Sequence, residues 1–132
     1  MDVKELRIGN YVSPLDDETK EPIDDCYWRI TMVARNHVYV ELTSEITKYI
    51  DDIKPIDLSH NLLIELGFNH KSLYYGKLDY YDKDGIRLEI ENGEETFLFK
   101  SCESESGVEV KHLHHLQNLF MDLKNIDIKT IN

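Results

Sequence analysis

Three histidines lie within four positions near the end of the sequence, in the run His112-Leu113-His114-His115. Imidazole nitrogens are common ligands of transition metals, so this run is the first candidate for a metal site. Helical spacing argues against that interpretation. At about 100° per residue, His112 and His115 share one face of a helix, whereas His114 points to the opposite side. The three imidazoles are therefore not expected to converge on one ion.

A metal bound in this region would need ligands from elsewhere in the chain, such as His60 or His70. The sequence contains no HExxH motif, and two imidazoles are too few ligands for a firm metal site. We therefore predict no metal and no cofactor. His112 and His115 are the candidate ligands should a metal bind.

Motifs for nucleophilic or phosphate chemistry are missing from the sequence. It contains no GxSxG, no cysteine within a local histidine signature, no P-loop and no GxGxxG. Acidic residues are abundant, but no carboxylate pair is singled out by its spacing. A catalytic site can still be assembled from distant positions, so this absence weakens the enzyme hypothesis without removing it. No catalytic residue is predicted.

Four tyrosines stand in two adjacent pairs, Tyr74-Tyr75 and Tyr80-Tyr81. Tyrosine is enriched at protein interfaces, so the set is a candidate binding face. Adjacent residues of a strand point to opposite sides of the sheet. We therefore expect one tyrosine of each pair in the core and the other on the surface, with core packing the favoured role.

The histidine run opens a predicted helix, His112 to Lys124. Its apolar residues fall at offsets 0, 3, 6, 7 and 10: Leu113, Leu116, Leu119, Phe120 and Leu123. A stripe at this spacing packs against a sheet.

Two amide side chains, Gln117 and Asn118, lie off this stripe beside His114. They would either present hydrogen bonds to a partner or bond a neighbouring loop of the same chain. Both alternatives stay open, and His114, Gln117 and Asn118 are the candidate interaction residues.

Alternating apolar residues predict a β-rich N-terminal half. The predicted strands are centred on Ile8–Val12, Trp28–Met32, Val38–Leu42 and, at a sheet edge because of Pro55, Ile53–Leu58. The acidic segment between Pro14 and Asp25 is predicted to be an exposed loop. Four short strands before any helix indicate a small curved antiparallel sheet or an SH3-like barrel.

A short helix, His60 to Leu66, is predicted next, with Ser59 as its N-cap and Gly67 after its last turn. From residue 72 to 100 the pattern predicts a β-meander with turns at Asp84-Gly85 and Asn92-Gly93. A polar loop follows at 101–107, and alternating isoleucines predict a short terminal strand over 126–131. The fold class is therefore α+β, with the C-terminal amphipathic helix packed on the sheet.

Size and charge narrow the functional classes. The 132 residues suit one domain, 1–132, with possible subdomains 1–58 (β-rich) and 59–132 (α+β). A net charge of −11 disfavours binding to nucleic acid or to anionic membranes. With Cys26 and Cys102 expected to be reduced, no secretory signal and no apolar run of about 20 residues, we expect a cytoplasmic protein.

Three blocks of the sequence carry a resemblance: Glu5–Val12 (ELRIGNYV), Ile53–Ser59 (IKPIDLS) leading to LGF at 66–68, and Val110–Phe120 (VKHLHHLQNLF). Together they resemble a family of small proteins of phages, prophages and mobile elements of Bacteroidetes. That family shares LRIGN, PIxL[ST], LGF and HQLQNLY. Departures are His115, where the family has glutamine, and the acidic loop after Pro14. The resemblance implies a bacterial or phage cytoplasmic setting and supplies no catalytic residues.

Three functional hypotheses follow. The first is a non-enzymatic accessory or protein-interaction module of a phage or mobile element, with an unidentified protein partner. The second is an acidic mimic of nucleic acid that inhibits a DNA-binding host factor. The third is a metal-dependent enzyme using His112 and His115. The oligomeric state is not predicted.

Overall fold

A computed structural model describes residues 3–99 and 107–129 of the chain. The described residues form ten strands in two five-stranded antiparallel sheets, one of them curled, together with two α-helices. The predicted α+β class is confirmed. The chain divides into two compact units, Met1–Asp57 with His112–Asn132, and Leu58–Lys111. The C-terminal helix thus belongs with the N-terminal strands, whereas the sequence grouped it with residues 59–132.

The sheet of the first unit has the strand order β4-β3-β2-β1-β5. Its strands are β1 Tyr11–Pro14, β2 Trp28–Val33, β3 His37–Glu41, β4 Glu45–Tyr49 and β5 Ile53–Lys54. The position of β5 at the end of the sheet confirms the predicted edge strand. Val38 and Val40 are fully buried in the core, as their alternation predicts.

The alternation of Trp28, Ile30 and Met32 predicted that Met32 faces the core, and this prediction is wrong. The pairing of β2 with β3 shifts register between Ile30 and Met32, which is the mark of a β-bulge. Because the extra residue changes the face of those that follow, Met32 is 53% exposed and not in the core.

The second unit begins with the short helix α1, His60–Glu65. Its predicted ends are confirmed: the Ser59 side chain accepts a hydrogen bond from the Leu62 backbone, and Gly67 has a φ of +94°. A meander follows in the order β10-β9-β8-β7-β6. Its strands are β6 Asn69–Leu73, β7 Leu78–Lys83, β8 Ile86–Glu91, β9 Phe97–Phe99 and β10 Val108–Val110.

The C-terminal helix α2 spans Leu113–Lys124 and packs against β1. Its buried residues are Leu113, His114, Leu116, Gln117 and Phe120. The predicted stripe is therefore wrong at its far end, since Leu123 is 53% exposed. The buried face is rotated toward the two polar residues, which have their own roles below.

The segments around these elements differ in how well the sequence predicted them. The acidic loop after Pro14 is largely exposed, as expected. Residues 125–129 form no strand, although Ile128 is buried. The predicted terminal strand is therefore wrong over residues 125–129. Ile131, Cys102 and most of the predicted loop 101–107 lie outside the described residues. Within the described part of the chain, neither α-helix has the length and apolar character needed to cross a membrane.

Candidate functional site

The three histidine rings of the run at 112–115 lie together in the first unit. Ring centroids are 4.2 Å apart for His114 and His115, 5.4 Å for His112 and His115, and 5.6 Å for His112 and His114. The expectation that His114 points away from the others is wrong. His112 is the N-cap of α2, with extended backbone (φ −117°, ψ 154°), so helical spacing does not apply to it.

A carboxylate from the beginning of the chain joins two of these rings. Oε2 of Glu5 lies 3.3 Å from Nε2 of His115 and 3.7 Å from Nε2 of His114. The ligand atoms of Glu5, His114 and His115 all lie within 4.8 Å of one another. We call these three residues the histidine–glutamate cluster. It is the one such grouping of three or more metal-ligating side chains among the described residues.

Asn118 fixes the backbone that carries Glu5. Its Nδ2 donates a hydrogen bond of 2.9 Å to the backbone oxygen of Glu5, and its Oδ1 accepts one of 2.9 Å from Nδ2 of Asn10. Arg7 adds a two-point ion pair to Asp122, at 2.6 and 3.0 Å. The segment from the 3-10 turn Val3–Glu5 to Asn10 is therefore tied to α2 at Asn118 and Asp122.

Gln117 is buried beneath this segment and bonds the backbone of the same unit. Its Oε1 accepts a hydrogen bond of 2.8 Å from the Tyr11 backbone, and its Nε2 donates one of 2.9 Å to the Gly9 oxygen. Both candidate amides thus bond their own chain, which was the second of the two alternatives. A role for Gln117, Asn118 or His114 in contacting a partner stays a prediction.

His114 is the most unusual polar residue of the first unit. It is fully buried, and neither ring nitrogen has a hydrogen-bonding partner among the described residues. Burial, followed by the His115 and His112 imidazoles, lowers the pKa of His114 to about 4, while Glu5 acts in the opposite direction. The imidazole is therefore neutral at neutral pH, with a nitrogen lone pair available.

His112 stands beside the cluster with its own carboxylate. Its Nδ1 lies 3.0 Å from Oδ1 of Asp57, and its ring stacks on His114 with an interplanar angle of 11°. The ligand atoms that converge most closely are thus those of His114, His115 and Glu5. His112 and His115, the candidate ligands from sequence, are neighbours but do not by themselves define that group.

A second histidine pair lies in the second unit, beside a groove of about 290 Å³. Nδ1 of His60 lies 2.8 Å from the Tyr81 hydroxyl, and Nε2 of His70 lies 2.8 Å from Oδ1 of Asp79. The hydrogen bond with His70 lowers the pKa of Asp79. Burial raises the pKa of Tyr81, and the charge of Asp79 raises it further. Each imidazole of this pair therefore has a hydrogen-bonding partner.

The four tyrosines separate into one strand pair and one turn pair. In β7, Tyr81 is in the core at 3% exposure, as predicted for one residue of the pair. Tyr80 is half-buried and lies under the Arg87 guanidinium at 4.8 Å. Tyr74 and Tyr75 are 68% and 106% exposed. The expectation that one of them is buried is wrong, because both lie in the turn between β6 and β7 and not in a strand.

This tyrosine turn, residues 74–77, has an unusual backbone. The Lys77 nitrogen donates to the Tyr74 oxygen at 3.2 Å, and the central residues Tyr75 and Gly76 have φ values of +58° and +85°. Positive φ at both central positions is typical of a type I′ turn, where asparagine and glycine are the preferred residues. Tyr74 also has a positive φ, +54°. The left-handed conformation costs an ordinary residue roughly 1–2 kcal/mol.

An acidic groove of about 270 Å³ adjoins the turn. Four glutamates line it, together with apolar side chains that include Leu78 and Leu98: Glu89, Glu91, Glu94 and Glu109. Leu78 pairs with Leu73, the last residue of β6 before the turn, so the groove begins where the tyrosine turn ends.

Comparison of the chain with protein-family models, with curated proteins and with solved structures found no match in any of the three.

Proposed function

We propose that this chain is a non-enzymatic accessory module of a phage or mobile element, which binds a protein partner in the bacterial cytoplasm through its second unit. The observation that carries the proposal is the tyrosine turn, where Tyr74 and Tyr75 are exposed and held at positive φ. The setting rests on the sequence resemblance, and the contact surface rests on the turn.

Exposed tyrosines in a defined turn are well suited to binding. Tyrosine offers a large contact area with few rotatable bonds, and it is frequent among the residues that dominate binding energy. Two left-handed tyrosines are costly for the free chain, and such outliers cluster at functional sites. Glycine or asparagine would fit the backbone of Tyr75 better, so the aromatic side chain is the feature that needs a functional reason.

The groove beside the turn indicates the chemistry of the partner. Its four glutamates favour a basic segment, and its leucines favour an apolar side chain within that segment. A net charge of −11 would also accelerate encounter with a basic partner. A DNA-binding host factor has such a basic surface, so the nucleic-acid-mimic hypothesis becomes one of the partner identities that an experiment would reveal.

Site-specific photo-crosslinking tests the surface. A photoreactive aromatic residue replaces Tyr75 in one full-length variant. In the control it replaces Tyr49, an exposed tyrosine of the first unit with 67% exposure. We expect a bacterial lysate to yield one partner with a basic segment from position 75 and not from position 49. Equal capture at both positions, or none at position 75, contradicts the proposal.

Affinity measurements with the purified partner complete the test. We expect the double variant Tyr74→Ala/Tyr75→Ala to bind about 30-fold or more weakly, the effect of losing a dominant contact. Tyr49→Ala should bind as the unmodified chain does. Unchanged affinity in the double variant would place the contact surface elsewhere.

A further inference from the structure

We propose that Glu5, His114 and His115 bind a divalent transition-metal ion of the zinc class, with a fourth position open to water or another ligand. Two imidazoles and one carboxylate are a donor set that zinc accepts. The site belongs to the first unit and is independent of the partner surface proposed for the second.

The distances between the ligand atoms of Glu5, His114 and His115 are close to those required around a zinc ion. Zinc lies about 2.0–2.2 Å from imidazole nitrogen and carboxylate oxygen, so tetrahedral ligands are separated by roughly 3.3 Å. The Glu5 oxygen lies 3.3 Å from Nε2 of His115 and 3.7 Å from Nε2 of His114. Small side-chain adjustments bring all three atoms, now within 4.8 Å of one another, to coordination distance.

His114 supplies an independent reason for a ligand. It is fully buried and its nitrogens lack hydrogen-bonding partners among the described residues. The 3.7 Å to Glu5 is too long for a hydrogen bond. Buried polar groups are nearly always paired, and an ion facing Nε2 would pair this one.

An ordinary ion pair does not account for the arrangement. Such a pair explains His115, whose Nε2 lies 3.3 Å from Oε2 of Glu5. It leaves His114 without a hydrogen-bonding partner in the described part of the chain. In the second unit, where simple pairing does occur, His60 and His70 each have a bond of 2.8 Å. The wider spacing around Glu5 is that of ligands around an ion.

The surrounding contacts hold the ligands ready. Asn118 fixes the backbone of Glu5, and α2 fixes His114 and His115 on its first turn. Asn118 is therefore a positioning residue for the site. Glu5 and His115 are 45% and 32% exposed at their side chains, which gives an ion an entry path from solvent.

Calorimetric titration of the full-length chain, without a histidine tag, with zinc sulfate at neutral pH tests the proposal. We expect one ion per chain. His115 and Glu5 are the informative variants, because their side chains are partly exposed and their replacement leaves the buried core unchanged. His115→Gln should weaken zinc binding by about 100-fold or more, and Glu5→Gln by about tenfold or more. Circular dichroism checks that each variant is folded.

The matched control is His70→Gln, which removes another imidazole that faces a carboxylate. It should leave zinc affinity unchanged. Cobalt substitution adds a second readout, since tetrahedral cobalt absorbs visible light and His115→Gln should abolish that band. Three results would each overturn the site. They are failure of the unmodified chain to bind zinc, a zinc affinity in His115→Gln and Glu5→Gln equal to that of the unmodified chain, and loss of zinc binding in His70→Gln. None of these measurements depends on a protein partner.

Discussion

The two units each contain a histidine pair next to a carboxylate, yet the two pairs are built differently. In the second unit, His60 bonds the Tyr81 hydroxyl and His70 bonds Asp79, both at 2.8 Å. In the first unit, His114 is buried with no hydrogen bond from the described residues. Residue type alone therefore does not identify a ligand site. A ligand site is indicated instead by an imidazole, such as that of His114, to which the described residues supply no hydrogen-bonding partner.

Strand register explains why the second pair is satisfied. His70 lies opposite Tyr81 in the β6–β7 ladder, and Asp79 is two residues along the same strand as Tyr81. Side chains two apart share a face, so the ladder supplies the partners automatically. His114 and His115 lie in α2 and not in a strand, so strand register does not set their partners. A polar atom reaches His114 and His115 only because the turn Val3–Glu5 is tied to the helix.

The largest expected difference between the pairs is in pH dependence without metal. The folded pKa of His114, about 4, lies below its ordinary value of 6.5. The unfolded chain then binds more protons between these values, so stability is full above pH 6.5 and falls as pH drops toward 4. At 1.36 kcal/mol per pKa unit the loss is about 3 kcal/mol. The groups facing His114 are Glu5, His112 and His115.

Urea unfolding followed by fluorescence of Trp28 measures this loss. Trp28 is the single tryptophan of the chain and is buried in the first unit, so its signal reports on that unit. Replacing the titrating ring, in His114→Leu, should flatten the dependence between pH 6.5 and 4, whereas His70→Gln should not. An equally steep dependence in His114→Leu would assign the effect to other groups.

Zinc should produce the next largest effect. An ion at 100 times its dissociation constant raises the free energy of unfolding by about 2.7 kcal/mol. At neutral pH, unfolding followed by Trp28 fluorescence should show this gain in stability for the unmodified chain and for His70→Gln. His115→Gln should show almost none at the same zinc concentration. Equal gains in the two variants would contradict a site at the start of α2.

Replacing His114 or His60 by leucine in metal-free protein should change stability in opposite directions. His114→Leu removes an unpaired buried polar ring, so it should raise the stability of the first unit by about 1–3 kcal/mol while abolishing zinc binding. His60→Leu leaves the buried Tyr81 hydroxyl without its partner and should lower the stability of the second unit by a similar amount. Unfolding curves for the two variants should shift in opposite directions. A loss of stability in His114→Leu beyond that of His60→Leu would show that the ring is satisfied.

Local rules predicted much of the fold. The ends of α1 followed from Ser59 and Gly67, and the buried face of β3 followed from the alternation of Val38 and Val40. Each of these features depends only on neighbours in sequence. β4 escaped prediction because Ile46 is its one aliphatic residue. Met32 was misplaced because a bulge leaves no signature in the alternation it interrupts.

The cluster could be predicted only in part. The sequence singled out Gln117 and Asn118 as polar residues off the helical stripe, and two blocks of the resemblance, 5–12 and 110–120, prove to be joined by their hydrogen bonds. Glu5 was missed because its contact with His115 spans 110 positions and depends on the packing of α2. His112 misled the spacing argument because an N-cap residue has no helical backbone.

A smaller effect tests the tie between the first turn and α2. Asn118→Ala removes the bond to the Glu5 backbone and should lower the stability of the first unit by about 1 kcal/mol. If Asn118 positions Glu5, zinc affinity should also fall about tenfold, as for other residues that orient ligands. Asn69→Ala, at an exposed position of β6, is the control and should change neither quantity. Lower stability with unchanged zinc affinity would make Asn118 purely structural.

The smallest effect concerns the tyrosine turn. Tyr75→Gly places the residue that tolerates positive φ at a position with φ +58°, so the second unit should gain about 1 kcal/mol of stability. Hydrogen exchange of the β6 and β7 amides measures that gain locally. Tyr49→Gly, at the last residue of the extended strand β4, should instead lower stability, because glycine loses more conformational freedom on folding than tyrosine does. The same Tyr75→Gly change should weaken partner binding. If Tyr75→Gly is more stable and binds the partner with unchanged affinity, the aromatic ring has no part in recognition. If the variant is more stable but binds weakly, the turn is a binding site whose backbone is strained in the free chain.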